Sequence, residues 1–481
     1  MLFNSFEFAA FIALFFPLYW AIRTRLHLQN ALVLLASYTF YGWWDWRFLF
    51  LIAASSLVDF AVGRALGNAA ARRKRKVLLG LSITFNLGVL GTFKYFNFFA
   101  ENLATLLGNL GMQADALTLD VILPVGISFY TFQTLSYTID VYRGNLEPSR
   151  DALAFFAYVA FFPQLVAGPI ERAARLLPQF DRLRSFDLDR AKDGLRQVLW
   201  GLFAKIVIAD NCAPMVNELF GTDLSYHGGT TLVFGAVLFA FQIYGDFAGY
   251  SNIALGISKL LGFELMVNFR TPYFSRDMAE FWRRWHISLS TWFRDYLYIP
   301  LGGSRGSKKR AIRNIFVIFL VSGFWHGANW TFVAWGGLNA LFFVPLFLRG
   351  SNRKHTAPIA QGRRWPSWRE WVAMVSTFAL TCIAWIFFRS ETVGEAWDYV
   401  MTMVVQMPQT PAAVLEKLLR PISAFILILL VFEWIHRTRD HGLDIARWPV
   451  WARWSIYYLL VFSIFFFGNY QDPVDFIYFQ F

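Results

Sequence analysis

A histidine stands within a long uncharged stretch, where an ionisable side chain is costly. His326 belongs to the sequence GFWHGANW, inside the apolar run 314–348. Its side chain is too short to reach water from such a run, and ionisable residues within membrane spans usually face a cavity or a partner. Function is therefore the favoured interpretation. The alternative is a polar clamp between helices. If the run is helical at this point, Ser322 and Asn329 lie on the side of His326 at positions i−4 and i+3 and are its natural hydrogen-bond partners.

A second histidine, His286, lies in the stretch FWRRWHISLSTWFRDYLY, residues 281–298. At about 100° per residue, this stretch predicts one helix with an aromatic face, as in a helix that lies on or dips into a membrane. The residues on this face are Trp282, Trp285, His286, Leu289, Phe293 and Tyr296. His286 is therefore either a functional group or an interfacial histidine that one hydrogen bond satisfies.

The two histidines together favour general-base catalysis. A neutral imidazole can take the proton of a hydroxyl as that oxygen attacks a thioester carbonyl, and burial helps to keep the imidazole neutral. A metal site is not predicted, because His286 and His326 are forty positions apart and come without an HExxH motif or cysteine spacing. Cys212 and Cys382 lie in or beside apolar segments, and we interpret them as packing residues.

Asp246 brings a carboxylate into another apolar stretch, QIYGDFAGYSNIALG. With its polar neighbours it could line a pathway through the protein. Equally, it could form an internal ion pair or a hydrogen-bond network, for example with Lys205 or Lys259. The pattern leaves both interpretations open.

The composition indicates what kind of scaffold must position these groups. Of 481 residues, 57% are apolar, 19% are aromatic and only 16% are charged, and the mean hydropathy is +0.42. These values are typical of a membrane protein, and we expect membrane lipids around the chain. The net charge of +12 comes from short basic runs between apolar segments, as the positive-inside rule describes, so nucleic acid is not an expected partner.

Uncharged runs of the length needed to cross a bilayer recur along the whole sequence. We predict an all-α, polytopic integral membrane protein with roughly ten or eleven transmembrane helices, because alternating strand patterns are missing. The run 314–348 is too long for one span and is predicted to form two helices joined near 327–330. The stretch 161–169, FFPQLVAGP, contains two prolines and a glycine, which predicts a kinked or re-entrant segment.

The first apolar stretch, 8–22, predicts the orientation of the chain. It is followed by Arg23 and Arg25 and has no small-residue cleavage site after a basic start, so we expect it to stay in the membrane. Because the positive charges follow this span, the N-terminus is expected outside, which for a bacterial inner membrane means the periplasm.

A set of motifs resembles the membrane-bound O-acyltransferases, and in particular the bacterial polysaccharide branch of this family, which includes alginate O-acetylation. The motifs are ILPVGISFYTFQTLSYTIDVYRG, FFPQLVAGPIER, YGDFAGYSNIALG, FWRRWHISLSTWFRDYLYIPLGG, GFWHGANWTFVAWG and FIYFQF. Each alone is weakly specific, but the set covers nearly the whole chain. The resemblance implies a single membrane-embedded domain over 1–481, with its catalytic core in 285–330 and a ring of helices, some re-entrant or interfacial, around a central tunnel.

The same resemblance implies the site residues. His326 matches the deeply placed histidine that is taken as catalytic in this family, and His286 matches a second position near the reaction centre. Both are therefore expected catalytic residues. The residues expected to contact substrates are Trp285, Ser290, Trp325, Asn329 and Asp246.

The resemblance also implies the reaction. Family members of this kind accept an acyl thioester at the cytoplasmic face and pass the acyl group to an extracytoplasmic acceptor. We therefore expect an O-acetyltransferase that takes acetyl-CoA or an acyl-carrier thioester near the basic loop 305–313, without a permanently bound cofactor. The expected acceptor is a hydroxyl of an alginate-like polysaccharide, or a serine of a secreted or membrane-anchored partner acyltransferase. Relatives that modify peptidoglycan or teichoic acid leave the polymer open.

The main alternative is a transporter or flippase, in which Asp246, His286 and His326 form a proton or substrate pathway and no bond is made. Composition does not separate the two classes. No internal repeat of the kind found in many transporters is visible, which weakens this alternative without excluding it.

Overall fold

The fold is helical throughout the residues that the structure describes. The computed structural model describes residues 1–112, 117–120, 122–166, 168–406, 420–468 and 476–477. All regular structure within them is helical, which confirms the predicted all-α class. The chain forms two compact units, Met1–Ala191 with Ile257–Met266, and Lys192–Gly256 with Val267–Phe481. The single domain and the helical ring around a tunnel stay predictions.

The first unit contains nine labelled helices among its described residues. They are α1 (Phe6–Ala21), α2 (Leu26–Asp45), α3 (Leu49–Gly67), α4 (Arg72–Leu90), α5 (Phe96–Asn109), α6 (Ile127–Arg143), α7 (Ala152–Val159), α8 (Phe162–Leu165) and α9 (Ala173–Leu176). A buried carboxylate links three of them. Asp59 of α3 accepts hydrogen bonds from Ser82 and Asn86 of α4 and from Thr138 of α6. Because a carboxylate without donors is costly in an apolar interior, these bonds stabilise the packing of α3, α4 and α6.

The proline-containing stretch 161–169 is broken, as the sequence predicts. α7 ends at Val159, and α8 has only four residues, with Pro163 in its first turn. Proline fits the first turn of a helix because the N–H that it lacks would have no partner in the helix there. Residue 167 lies outside the described residues, and a re-entrant path through a membrane stays a prediction.

The remaining helices lie wholly or mainly in the second unit. They are α10 (Leu188–Leu202), α11 (Asp210–Gly221), α12 (Gly229–Leu260), α13 (Met278–Arg284), α14 (Ile287–Phe293), α15 (Lys308–His326), α16 (Trp330–Leu348), α17 (Trp368–Arg389), α18 (Val393–Val405), α19 (Pro421–Ile435) and α20 (Val450–Phe467). Three π-helical segments occur among the described residues: Gly91–Tyr95 directly follows α4 in the first unit, and Phe203–Ala209 and Arg294–Tyr298 directly follow α10 and α14. Such segments are rare and are often found at functional sites.

Seven helical stretches in the described part of the chain are long and apolar enough to cross a membrane. They are Leu26–Gly67, Arg72–Asn109, Leu188–Gly221, Gly229–Leu260, Trp330–Leu348, Trp368–Arg389 and Val450–Phe467, and shorter apolar helices are Phe6–Ala21, Ala152–Leu165 and Pro421–Ile435. The chain is therefore a multi-pass membrane protein. The number of true spans, the identity of the membrane and the orientation of the N-terminus stay predictions.

The run 314–348 forms two helices, as predicted. α15 ends at His326 and α16 begins at Trp330. Glycines let their backbones approach closely, because a Cβ on Gly323 would collide with the backbone oxygen of Phe332. This close packing of α15 against α16 holds His326 in place at the turn between them.

Candidate active site

His326 is buried among aromatic rings at the end of α15. Its side chain is 2% exposed, which agrees with the burial expected from the sequence. The ring centroids of Trp325, Trp335 and Phe388 lie 5.0, 5.1 and 5.5 Å from that of the imidazole, all in edge-to-face arrangements. These contacts restrict the orientation of the imidazole. Its catalytic role stays a prediction.

His286 lies at a sharp turn and not within a helix. α13 ends at Arg284, α14 begins at Ile287, and His286 between them has a φ of 42° in the left-handed region. The prediction of one continuous helix over 281–298 is therefore wrong. A residue with a side chain pays on the order of 1–3 kcal/mol for such a backbone and keeps it only where its surroundings enforce it, often at functional sites.

A neighbouring irregular segment enforces this turn. The backbone N–H of Ile287 donates to the carbonyl of Asn268 at 2.9 Å, and the N–H of Arg270 donates to the carbonyl of Arg284 at 3.0 Å. These bonds use backbone groups that one continuous helix would use internally. Tertiary contacts therefore override the helical pattern of the sequence at this point.

The amide of Asn268 determines which nitrogen of His286 carries the hydrogen. Its Oδ1 accepts hydrogen bonds from the backbone N–H of Ser288 at 3.2 Å and from the Ser288 hydroxyl at 2.9 Å. Because a backbone N–H can only donate, this atom is the amide oxygen and not the nitrogen. The Nδ1 of His286 lies 3.2 Å from the same oxygen and must therefore donate to it. Its Nε2 is then the nitrogen that can accept a proton or a hydrogen bond in the neutral ring.

His286 is neutral over the physiological pH range. Its side chain is 1% exposed. His286 lies outside the helical stretches that are long and apolar enough to cross a membrane. Burial lowers its pKa to about 3, because a charged imidazole loses its hydration in the protein interior. The hydrogen-bond assignment and this lowered pKa together describe a neutral imidazole with a fixed tautomer.

The two predicted catalytic histidines lie together. The ring centroids of His286 and His326 are 6.5 Å apart, and the indole of Trp325 is 6.2 Å from the first and 5.0 Å from the second. The α13–α14 turn and the end of α15 therefore bring two buried imidazoles into one aromatic environment. At this separation a small substrate group could interact with both rings.

Trp285 and Ser290 flank His286 but have different surroundings. Trp285 is 1% exposed, and its ring packs 5.0 Å from that of Trp385 and 5.5 Å from that of Phe281. Ser290 is half-buried, and its hydroxyl donates to the carbonyl of Trp285 at 3.3 Å. Trp285 thus belongs to the aromatic packing behind the turn, and the substrate-contact role expected for both residues stays a prediction.

Asn329 does not lie on the helical face of His326. The sequence expectation required a helix through both residues, but α15 ends at His326 because Gly327 is extended. The side chain of Asn329 instead caps α16 by accepting from the N–H of Thr331 at 3.0 Å, and it donates to the carbonyl of Glu391 at 2.9 Å. The expected i+3 position is therefore wrong.

Asp246 forms the ion pair that the sequence left as one of two interpretations. The Nζ of Lys205 lies 2.8 Å from Asp246 and 2.7 Å from Asp210, and all three side chains are buried. Lys205 comes from the π-helical segment Phe203–Ala209. A buried charge is stable only when it is paired and hydrogen-bonded, so this cluster has a structural role in its own right.

Metal-ligating side chains are not grouped in the described residues. Among them, no group of three or more His, Cys, Asp or Glu is arranged to hold a metal ion. Cys212 and Cys382 are buried and form no disulfide, in keeping with packing residues.

A cavity of about 420 Å³ lies within the second unit. Its walls are mainly apolar, with polar side chains at intervals. The lining residues are Trp282, Leu289, Ser290, Phe293, Arg294, Tyr298, Ser304, Ile315, Ile318, Phe319, Ser322, Phe343, Phe347, Asn352 and Arg353. Neither histidine lines it, but Ser290 follows His286 by four positions and Ser322 precedes His326 by four. Arg353, which the sequence analysis did not single out, contributes an exposed positive charge to the lining.

The sequence of this chain is similar to those of known proteins. The model of the membrane-bound O-acyltransferase family matches residues 149–387, which include both histidines. A probable alginate O-acetylase of Azotobacter vinelandii is 40% identical over 395 residues, which cover 82% of this chain and 76% of that protein. A second probable alginate O-acetylase, from Pseudomonas aeruginosa, is 40% identical over 80% of this chain and 71% of its own length. A peptidoglycan O-acetyltransferase of Helicobacter pylori is 34% identical over 77% of this chain and 73% of its own length.

Proposed function

The chain belongs to the membrane-bound O-acyltransferase family, and we propose that it moves an acetyl group from a cytoplasmic thioester to a hydroxyl outside the bacterial inner membrane. It is an O-acyltransferase with several membrane helices. The observation that carries the finer proposal is the pair of buried imidazoles, His286 and His326, with ring centroids 6.5 Å apart. Neighbouring hydroxyls of one acceptor molecule could each donate to one of the two imidazoles.

His326 is the proposed general base. It takes the proton of the acceptor hydroxyl while the hydroxyl oxygen attacks the carbonyl carbon of the thioester. A C–O bond forms, the C–S bond breaks, and the proton passes from the imidazolium to the departing thiolate. The imidazole is neutral again at the end of the cycle, so no further reactant is needed.

His286 is proposed to orient the reacting hydroxyl. Its Nδ1 faces the amide oxygen of Asn268, which leaves Nε2 as an acceptor. A second hydroxyl of a carbohydrate acceptor that donates to this nitrogen would hold the reacting hydroxyl, whose own hydrogen goes to His326, in one orientation before attack. Trp325 is proposed to contact the acyl group, because its ring lies beside both imidazoles.

The cavity is the proposed site for the thioester donor. Its volume of about 420 Å³ lies within the range of small-molecule sites, ~300–1,000 Å³, and its apolar walls suit a pantetheine arm. Arg353 and Arg294 supply positive charge for a phosphate, although Arg294 also pairs with Asp295 at 2.7 Å. Ser290 lines the cavity four positions after His286 in the sequence and is the proposed contact for the thioester. Acetyl-CoA and an acyl carrier present the same arm, so the cavity suits both.

The other residues predicted to contact the substrates are assigned structural roles in this proposal. We assign Trp285 to aromatic packing, Asn329 to the cap of α16, and Asp246 to the buried ion cluster. In this proposal none of them touches the reacting atoms. The expected donor loop 305–313 adjoins Ser304 at the cavity.

The proposed acceptor is an extracytoplasmic carbohydrate hydroxyl. The names of the relatives refer to alginate and to peptidoglycan, both of which carry such hydroxyls. A serine of a secreted or membrane-anchored partner acyltransferase is the other form of this proposal.

Filling the cavity tests the donor site. Ile318 lines the cavity, and Ile318→Trp is expected to raise the KM for acetyl-CoA about 10-fold, a loss of about 1.4 kcal/mol of donor binding, because the indole would occupy space proposed for the donor. Val321 is on the same helix, is 41% exposed and does not line the cavity, so Val321→Trp is the matched control and is expected to leave KM unchanged. Initial rates with radiolabelled acetyl-CoA measure both variants. Equal KM values for folded Ile318→Trp and Val321→Trp would place the donor elsewhere.

A further inference from the structure

The segment Phe476–Ile477 is buried against α12. Phe476 is 0% exposed and Ile477 is 3% exposed. The ring of Phe476 lies 4.6 Å from that of Tyr250 and 5.9 Å from that of Phe247. The backbone N–H of Ile477 donates to Asp246 Oδ2 at 2.6 Å. A backbone group and a side chain thus attach this segment to neighbouring turns of one helix.

The ion cluster gives the backbone bond its strength. Lys205 bridges Asp246 and Asp210. The N–H of Ile477 donates to the ion-paired carboxylate of Asp246, and hydrogen bonds to charged acceptors are stronger than neutral ones. The ammonium of Lys205 also lies 5.5 Å from the ring of Tyr250, which contacts Phe476. The cluster therefore contacts the segment directly through the N–H of Ile477 and, by way of Tyr250, through the ring of Phe476.

A row of rings leads from this segment to His286. Phe247 directly follows Asp246, and its ring centroid lies 4.6 Å from that of the His286 imidazole, with the two planes at 88°. Phe476 contacts the same ring. His286 is held on one side by Asn268 and on another side by Phe247. A shift of Phe247 would therefore shift the imidazole or open space beside it.

We propose that Phe476 and Ile477 are positioning residues for His286. Ile477 holds Asp246 by its hydrogen bond, Phe476 packs against the neighbouring Phe247, and the ring of Phe247 in turn holds the imidazole of His286. The proposal rests on the proposed function, because it concerns the orientation of an imidazole that acts in acyl transfer. It gives Asp246 and Lys205 a role in turnover although neither touches the substrates.

Removing the N–H of Ile477 tests this proposal. Ile477→Pro lacks that N–H, and Ile477→Val keeps it together with a branched apolar side chain. Ile477→Pro is expected to lower kcat for acetyl transfer about 10-fold or more with little change in the KM for acetyl-CoA, because a displaced catalytic group slows turnover without weakening donor binding. Ile477→Val is expected to keep kcat within about 3-fold of the wild type. The KM-against-kcat split separates positioning from a general loss of stability.

A double-mutant cycle locates the path of the effect. Asp246→Ala leaves Lys205 paired with Asp210, so this variant retains a neutral buried pair. In the Asp246→Ala background, Ile477→Pro is expected to cause little further loss of kcat, because the hydrogen bond is already absent. Full additivity of the two losses would overturn the proposal. So would an unchanged kcat in folded Ile477→Pro, or a raised KM alone.

A second variant covers the case in which Ile477→Pro does not fold. Phe476→Ala removes the ring beside Phe247, and Phe476→Leu is its conservative control; kcat is expected to fall in the first and to be largely kept in the second. If neither Ile477→Pro nor Phe476→Ala yields folded protein, the segment is a folding determinant and the positioning role is overturned. If the wild type transfers no acetyl group, the proposed function fails and this proposal fails with it. If the wild type is active, His326→Ala is inactive and Ile477→Pro is fully active, only this proposal fails.

Discussion

Replacing His326 with alanine is expected to lower the rate of acetyl transfer by about 10³-fold, because a positioned general base contributes roughly 10²–10⁴-fold. The imidazole is 2% exposed and surrounded by Trp325, Trp335 and Phe388, so water has little room to act as a substitute base. The measurement is kcat/KM of purified protein with radiolabelled acetyl-CoA and an alginate oligosaccharide. The fold should survive, because the close packing of α15 and α16 at Gly323 does not involve the imidazole.

Two further variants separate chemistry from folding in this experiment. His326→Gln keeps much of the volume of the side chain but has no basic nitrogen, so it is expected to be as slow as His326→Ala. His227 lies outside the site and contacts Thr222 at 2.6 Å, and His227→Ala is expected to transfer acetyl groups at the wild-type rate. All three should insert into membranes and unfold at similar temperatures. A folded His326→Ala variant within about 10-fold of the wild-type rate would be incompatible with a general base at this position.

Replacing His286 with alanine is expected to lower kcat by about 10²-fold, the cost of losing the group that orients the reacting hydroxyl. The KM for acetyl-CoA should change little, because His286 does not line the cavity proposed for the donor. The loss should be constant from pH 5 to pH 9, since burial lowers the pKa of His286 to about 3 and its imidazole does not ionise in this range. Rates at saturating donor over this pH range measure the effect.

The left-handed backbone of His286 requires its own control. Glycine adopts a φ of 42° without cost, so His286→Gly removes the imidazole and relieves the backbone strain at the same time. His286→Gly is expected to be as slow as His286→Ala. If His286→Gly instead recovers the wild-type kcat, the imidazole has no part in turnover. His286→Asn tolerates the same backbone and carries a donor and an acceptor, so it should be intermediate.

The placement of His326 could be predicted because it depends on local sequence. An ionisable residue in the uncharged run 314–348 indicates a buried functional group, and Gly327 indicates the end of a helix. Both features lie in the same short stretch. The two helices and the burial of His326 follow from them without any knowledge of the rest of the chain.

The placement of His286 could not be predicted in the same way. Its surroundings continue a helical pattern, and the turn arises from hydrogen bonds to Asn268 and Arg270, which come from an irregular segment. No motif marks Asn268, although its amide determines the tautomer of the histidine. Periodicity describes one element at a time, so contacts between elements of this kind are outside its reach.

The partners of Asp246 and the cavity fall between these two cases. A buried carboxylate predicts a counter-ion, and Lys205 was one of the two candidates, but the bridge to Asp210 depends on the π-helical segment that carries Lys205. The cavity depends on side chains between Trp282 and Arg353 that come from several helices and a loop. From the sequence alone, the apolar types of these residues indicate only that they are buried. The cavity is therefore a property of packing that composition does not contain.

The transporter alternative required Asp246, His286 and His326 to serve one pathway. Lys205 pairs with Asp246 at 2.8 Å, and the amide of Asn268 holds His286 in one tautomer. Both arrangements favour fixed groups over groups that exchange protons during transport. The family of the chain favours bond formation as well.

Acetyl transfer across a sealed bilayer distinguishes the two classes of function most directly. Proteoliposomes of the purified protein would receive radiolabelled acetyl-CoA outside, with an alginate oligosaccharide, a serine peptide and a pH-sensitive dye trapped inside. We expect labelled ester on a trapped acceptor from the wild type, none from His326→Ala, and no proton flux that depends on the acceptor. Acceptor-dependent proton flux without labelled ester, at the same rate in the wild type and in His326→Ala, would contradict the enzyme and support the carrier.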